Sequence, residues 1–224
     1  MHSAVSTWLA ICLYRQAAQA GESRFVLAVL AAFILPALLA VTTAFARILI
    51  VLFFLRAGLG SDVLPPNTVI IGLALLLTWV VMGTTIQAFT AQVAAPLYQG
   101  TLPPDQALAR ADRVLRGFMA RHVDTDDYRI VADALNEAAP PSRAPFQVLA
   151  TAFALSELRV AFIAGLLIYL PFLVIDLLVL LVMSAIGPGP IAPQMIALPV
   201  KVAFFIMADG WRLIFGAILG GYGG

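Results

Sequence analysis

The sequence predicts an all-α membrane protein made of four long hydrophobic helical blocks that form helical hairpins, plus a small charged helical insert. Three observations predict it. Of 224 residues, 62% are hydrophobic and only 11% are charged, and the mean hydropathy is +0.99. A soluble domain is about 45–50% apolar and about 25% charged, so these side chains exceed what one soluble core could hide. The apolar residues gather in four runs, 25–55, 63–95, 146–186 and 193–219. Each is longer than the ~20 residues a helix needs to cross a bilayer, and in lipid such a run is helical because a helix satisfies its own backbone. Finally, 13 of the 25 charges fall within the 39 residues 105–143, which marks a solvated segment between the second and third runs.

The elements follow in chain order. Residues 1–24 form an N-terminal segment, either a secretory signal peptide or an interfacial helix: a short apolar stretch ends near Ala18-Gln19-Ala20, but Arg15 interrupts it. Residues 25–224 form a single domain. Its first run is broken only by Arg47, and Gly58, Gly60, Pro65 and Pro66 separate it from the second, which carries no charge. The polar helical insert covers about residues 100–145. Its first helix starts near Asp105, with Leu108, Val114, Leu115 and Phe118 spaced for one apolar face. A second helix runs from Thr125 or Asp126 to about Asn136, before Pro140 and Pro141. The insert holds six arginines, which by the positive-inside rule argues for the cytoplasmic side. Gly187-Pro188-Gly189-Pro190 and Pro193 fold the last two runs into a tight hairpin.

Charges stranded in the last two runs are the main functional signal. Glu157, Arg159 and Asp176 lie in the third run; Lys201, the sole lysine, lies with Asp209 and Arg212 in the fourth. A charge in hydrocarbon costs about 2.5–3.5 kcal/mol on insertion scales, so such groups pair or face a polar interior. Asp176 and Lys201 stand at comparable distances from the hairpin tip, and the helical rise of ~1.5 Å per residue puts them at similar depth. Lys201 is therefore expected to pair with an acid of its own or a neighbouring chain. A relay through Asp176 and Asp209, as in a proton-coupled transporter or channel subunit, is the alternative of another class.

No enzyme is expected. The chain lacks a G-x-x-x-x-G-K phosphate cradle and a His-Glu-x-x-His pair, and it has two histidines, His2 and His122. Ser156-Glu157 and Asp209-Gly210-Trp211 have no histidine nearby in sequence. No cofactor or metal is expected, and a net charge of +1 argues against nucleic acid. Gly216 and Gly220 give a G-x-x-x-G spacing, and Trp79, Tyr169, Trp211 and Tyr222 are candidate interface markers.

These motifs resemble one family. Ile34-Leu-Pro-Ala-Leu-Leu, Thr43-Ala-Phe-Ala-Arg47-Ile-Leu, Leu55-Arg-Ala-Gly-Leu-Gly, Pro65-Pro-Asn67 and Gly72-Leu-Ala-Leu precede the insert. Ser156-Glu157-Leu158-Arg159, Tyr169-Leu-Pro171-Phe172-Leu-Val-Ile-Asp176, Leu198-Pro199-Val-Lys201 and Asp209-Gly210-Trp211 follow it. In this order they are similar to the FliP/SctR family of type III secretion export-gate proteins. Arg47, Leu198-Pro199 and the Gly-Leu-Ala-Leu run followed by Thr78 resemble the flagellar branch more than the injectisome branch.

The resemblance implies a core subunit of the flagellar export gate: a homo-oligomer, a pentameric ring, joined by FliQ-like and FliR-like membrane subunits, through which unfolded export substrates cross the bacterial inner membrane. It implies a multi-pass protein of the flagellum basal body whose helices build a cone on the periplasmic side, with a periplasmic insert. Glu157 and Lys201 fall where the family places an inter-subunit charge pair. Arg47, Arg159, Asp176, Asp209 and Trp211 are the further buried polar or assembly residues. The family's hairpin loop carries consecutive methionines that line the pore as a gasket. The corresponding segment here is Ile186, Gly187, Pro188, Gly189, Pro190, Ile191 and Met195, so any seal would rest on Ile186, Ile191 and Met195.

Overall fold

A computed structural model of the chain describes residues 38–60, 65–187 and 192–222. The N-terminal segment 1–24, the start of the first apolar run and the loop residues Pro188, Gly189, Pro190 and Ile191 lie outside the described residues. From Val41 onward the described residues are mostly helical, and among them there is no strand.

Helix α1 (Phe45–Leu59) is apolar apart from Arg47 and Arg56 and ends at Gly60, whose left-handed backbone (φ 72°) lets its N–H donate to Ala57 O. Gly58, expected to help break the chain, instead lies inside α1. It is a packing notch: a Cβ there would strike the ring of Phe172. The ring belongs to α7 (Phe146–Ile186), and α7 returns the arrangement at Gly165, where a Cβ would strike the ring of Phe54. Each helix thus seats a phenylalanine over the other's glycine, and α1 lies in close contact with the first part of α7.

The second run does not form one straight helix. Helix α2 (Asn67–Val81) stops at Met82, and the chain turns by 71° into the limb 83–98. That limb comprises α3 (Gly83–Phe89), a π-helical turn (Thr90–Ala94) and α4 (Ala95–Tyr98). Pro96 has no N–H for the carbonyl of Gln92, and Arg110 from the next helix donates to that carbonyl at 3.3 Å.

The insert forms two helices, α5 (Pro104–His122) and α6 (Thr125–Ala134). Of the face expected for α5, Phe118 is buried and Val114 and Leu115 are half-buried, but Leu108 does not turn inward. Leu108 is 74% exposed, while Ala107 packs with Val93 and Leu102 against the α3–α4 limb. A close-lying limb accepts alanine and leaves no room for leucine. Phe118 and Met119, one helix turn before α6, are buried in the main core. Helix α6 stops at Leu135, before Asn136 in a left-handed conformation (φ 53°), so the prolines beyond it are not what ends it.

Helix α7 has the bounds of the third apolar run, 41 residues with Pro171 inside. At ~1.5 Å per residue it is roughly 60 Å long, twice the ~30 Å hydrocarbon core of a bilayer. The fourth run is broken as well: α8 (Pro193–Met207) and α9 (Gly210–Gly220) meet at 62°. The break lies at Asp209, in a left-handed conformation (φ 50°), and at Gly210, where a Cβ would collide with the ring of Phe205.

Four long spans therefore reduce, among the described residues, to one helix long and apolar enough to cross a membrane, α7, or up to three if each bent pair counts as one span. Both breaks fall inside the expected apolar runs, at Met82, just before Gly83-Thr84-Thr85, and at Ala208-Asp209, just before Gly210.

Candidate functional site

The charges of α7 sort by the direction each faces. Glu157 points into the core and is 1% exposed. Its Oε1 accepts from Arg47 Nη2 of α1 at 2.6 Å. Its Oε2 accepts from the hydroxyl of Tyr222, in the turn after α9. The Arg47 guanidinium also lies over the Tyr222 ring, 4.2 Å from the centroid, a cation–π contact worth about 0.5–2 kcal/mol. Three elements distant in sequence therefore converge on one carboxylate.

Ser156 and Arg159, three residues apart, share the neighbouring face and address the insert. The Ser156 hydroxyl accepts from the N–H of Asp124 at 3.0 Å. Arg159 bridges two carboxylates, Nη2 to Asp124 and Nε to Asp127, both at 2.9 Å. Asp124 is also the N-cap of α6, accepting from the N–H groups of Asp126 (3.0 Å) and Asp127 (3.3 Å). The bond from Asp127 N–H is the foremost cause that holds the Asp124 carboxyl below its ordinary value, with the bond from Asp126 and the Arg159 guanidinium adding to it against partial desolvation. The motif Ser156-Glu157-Leu158-Arg159 is thus a two-way clamp, with one arm on α1 and the other on the insert.

A second pair lies further along α7. Lys201 is 3% exposed, and its Nζ donates to Asp176 Oδ2 at 2.6 Å. The structure brings together the two residues that the hairpin register put level. The ammonium also lies beside the C-terminus of α1: a Cβ built on Gly60 would be 3.2 Å from Nζ. The negative end of a helix dipole favours a cation there.

Within one chain, Glu157 and Lys201 are not partners of each other. Of the further assembly residues, Arg47 is buried; Arg159, Asp176 and Trp211 are partly exposed, and the Asp209 side chain is 66% exposed, 3.9 Å from Arg212. Asp209 lies at the α8–α9 bend, before the first turn of α9. Trp211 packs edge-on against Phe205 and stacks on Phe215. Of the loop residues, Ile186 and Met195 are exposed and Gly187 adopts φ 99°; the other four lie outside the described residues.

Sequence reasoning missed Tyr222, read as an interface marker, as well as Asp124 and Asp127. The signal at Tyr222 was its setting, one large side chain between two glycine pairs (Gly220-Gly221-Tyr222-Gly223-Gly224). His122 is not a solvated surface residue: its ring packs on Phe118 and Tyr222, and its Nδ1 lies 2.8 Å from Phe118 O. No group of three or more His, Cys, Asp or Glu suited to a metal occurs among the described residues.

An all-helical body with one long apolar helix, a polar insert and charges paired across helices defines an integral membrane protein whose polar groups join its parts. Comparison with known sequences gives the family. A model described as the FliP family matches residues 26–218, and the chain belongs to that family. It is 37% identical over 193 residues to "Flagellar biosynthetic protein FliP" of Cereibacter sphaeroides, covering 85% of this chain and 64% of that protein. It is 37% identical over 186 residues to the protein of the same name in Bacillus subtilis (strain 168), covering 82% and 84% respectively. The corresponding protein of Caulobacter vibrioides is 38% identical over 186 residues, with 82% and 70% covered. The chain thus spans less than two thirds of the Cereibacter protein and more than four fifths of the Bacillus one.

Proposed function

We propose that this chain is a core subunit of the flagellar type III protein export gate. Five copies would form a ring with FliQ-like and FliR-like membrane subunits in the bacterial inner membrane, and unfolded substrates would pass through it. The observation that carries this reading is the pairing of the charges within the family-matched residues. Glu157 is held by Arg47, and Asp176 by Lys201; Tyr222, beyond residue 218 where the match ends, adds a bond to Glu157. Buried groups tied across helices in this way act as fasteners. The relatives' names favour the flagellar branch over the injectisome branch. A relay through Asp176 and Asp209 is disfavoured, since Lys201 holds the first and the second lies exposed beside Arg212.

In the ring, Glu157 of one copy and Lys201 of the next are the proposed inter-subunit pair. Both are satisfied within their own chain, so that contact must add to the existing pairs or replace them. The test is the mass and subunit composition of the detergent-extracted complex, together with swimming of a deletion strain. Five copies with two smaller membrane proteins, and lost swimming, are expected; a lone chain in the extract or intact swimming would refute the reading.

A further inference from the structure

The two helices of the insert turn opposite charges outward. On α5, Arg113, Gly117 and Arg121 recur at four-residue spacing and so share one stripe. Both arginines are exposed, and neither has an ion-pair partner among the described residues. Between them lies a notch. Apart from the helix's own backbone, the only atom within 4 Å of a Cβ built on Gly117 is Arg121 Nη1, at 3.7 Å, the tip of a flexible side chain. Glycine inside a helix weakens it relative to alanine, and no packing within the chain calls for it here, unlike at Gly58 and Gly165.

Helix α6 carries the counterpart. Asp126, Ile130 and Asp133 share its outward face, at spacings of four and three. Ile130 is 62% exposed, an apolar knob on a helix whose other large apolar side chains, Tyr128 and Val131, are buried. Asp133 has no ion-pair partner among the described residues. Asp126 meets only Arg129, at 3.4 Å and with both side chains in water, a kind of pair that holds weakly. The stripes match in length as well as in sign: at the helical rise, Arg113 to Arg121 spans about 12 Å and Asp126 to Asp133 about 10.5 Å. Each pair of charges brackets its central residue, a gap on α5 and a knob on α6.

We propose that the α5 stripe of one copy docks on the α6 stripe of a second copy, with Ile130 in the notch at Gly117 and the two aspartates on the two arginines. The occupant is a second copy because the chain itself carries both halves, matched in sign, length and shape. An anionic lipid surface would meet the arginines and leave both the notch and Ile130 unused. The stripes are different patches, so the contact runs head to tail, and repetition of such a contact closes a ring or extends a filament. The ring rests on the function proposed above; the docking of copy on copy follows from the insert alone.

The test uses the full chain with Cys12, the sole cysteine, replaced by Ser. A chain carrying Gly117→Cys and one carrying Ile130→Cys are co-expressed, extracted in detergent and oxidised. A disulfide should join the two chains, and neither chain expressed alone should form it. Arg113→Glu with Arg121→Glu in the first chain should cut the yield about tenfold, as should Asp126→Arg with Asp133→Arg in the second, because like charges then face each other. Both reversals together should restore the yield. No disulfide, or a yield indifferent to either reversal, overturns the docking. So does a loss that the second reversal does not restore, which is what anionic headgroups on the arginines would give. A five-copy complex without this disulfide refutes the docking and leaves the gate reading standing. A restored disulfide in a complex without five copies upholds the docking and refutes the gate reading.

Discussion

The two halves of α7 have similar apolar composition and opposite surroundings. In the first half Val148, Leu149, Ala152, Phe153, Ser156, Glu157, Ala161 and Gly165 are buried; in the second only Phe172 is. Leu167, Leu178, Leu181 and Ile186 all stand exposed. One half is wrapped by protein, and the other shows the bare apolar surface that a bilayer would cover. The charges follow the same division. In the wrapped half Glu157 and Arg159 each meet two partners; in the bare half Asp176 has one, Lys201. Where protein surrounds a helix, a charge joins distant segments. Where lipid would surround it, a charge is tied to the nearest helix and kept at one depth.

The sharpest way to break this comparison is to remove one charge from each half. Glu157→Ala leaves the Arg47 guanidinium buried without a counter-ion, and removing one partner of a buried pair costs about 3–5 kcal/mol. Thermal unfolding in detergent should show a large fall in midpoint. Asp176→Ala should cost less, because the Lys201 ammonium it leaves still lies beside the negative end of α1, and because Asp176 is itself 42% exposed where Glu157 is 1%. Replacing both members of the first pair, Arg47→Met with Glu157→Leu, should recover most of the lost stability, since well-packed apolar substitutes are often neutral. Equal losses for the two single variants would erase the distinction between the halves.

A smaller effect is expected at the seam between α1 and α7. Gly165→Leu drives a side chain into the ring of Phe54, and overpacking of this kind costs about 1–3 kcal/mol. Gly72→Leu is the control, because nothing lies within 4 Å of a Cβ at that position. Melting temperatures of the two variants decide the matter. A Gly72 variant as damaged as the Gly165 variant would mean that loss of glycine itself, and not the seam, is at fault.

The comparison also explains what could be read from the sequence. The bounds of α7 were visible because apolar composition begins after Pro145 and ends at Gly187. The contact of Lys201 with Asp176 was visible because two helices joined by a short loop keep their register, so counting residues from the tip measures depth. The bends at Met82 and Asp209 were missed because Gly83-Thr84-Thr85 and Asp209-Gly210 were read as parts of continuous apolar runs. Gly58 was misread because a glycine that lets a ring approach looks, in sequence, like one that ends a helix. At the start of α5 the inward position was misplaced by one residue, because the neighbouring limb selected the small Ala107 over Leu108. Arg47, Glu157 and Tyr222 are far apart in the chain, and periodicity within one segment carries no signal for such a meeting.

The mildest prediction concerns the arm of the clamp that lies in water. Asp124 caps α6 and meets Arg159 as a carboxylate, with its pKa held below the ordinary 3.8 chiefly by the bond from Asp127 N–H. A group with a lowered folded value stabilises the fold above its unfolded pKa, and that contribution is lost as pH falls through the lowered value. Asp124→Asn keeps a side-chain oxygen for the cap and removes the charge. At neutral pH the amides of α6 should therefore exchange somewhat faster in the Asn variant than in the unaltered chain. The gap should begin to narrow as pH falls below about 3.8 and close once Asp124 is itself neutral in the fold, below its lowered value. Glu157 lies on the other arm, so its resistance to carbodiimide should be the same in both chains. A gap that persists in acid would show that the charge of Asp124 contributes nothing to the cap. A change at Glu157 would show that the two arms of the clamp move together, and that the division between a wet arm and a buried one is the wrong way to read Ser156-Glu157-Leu158-Arg159.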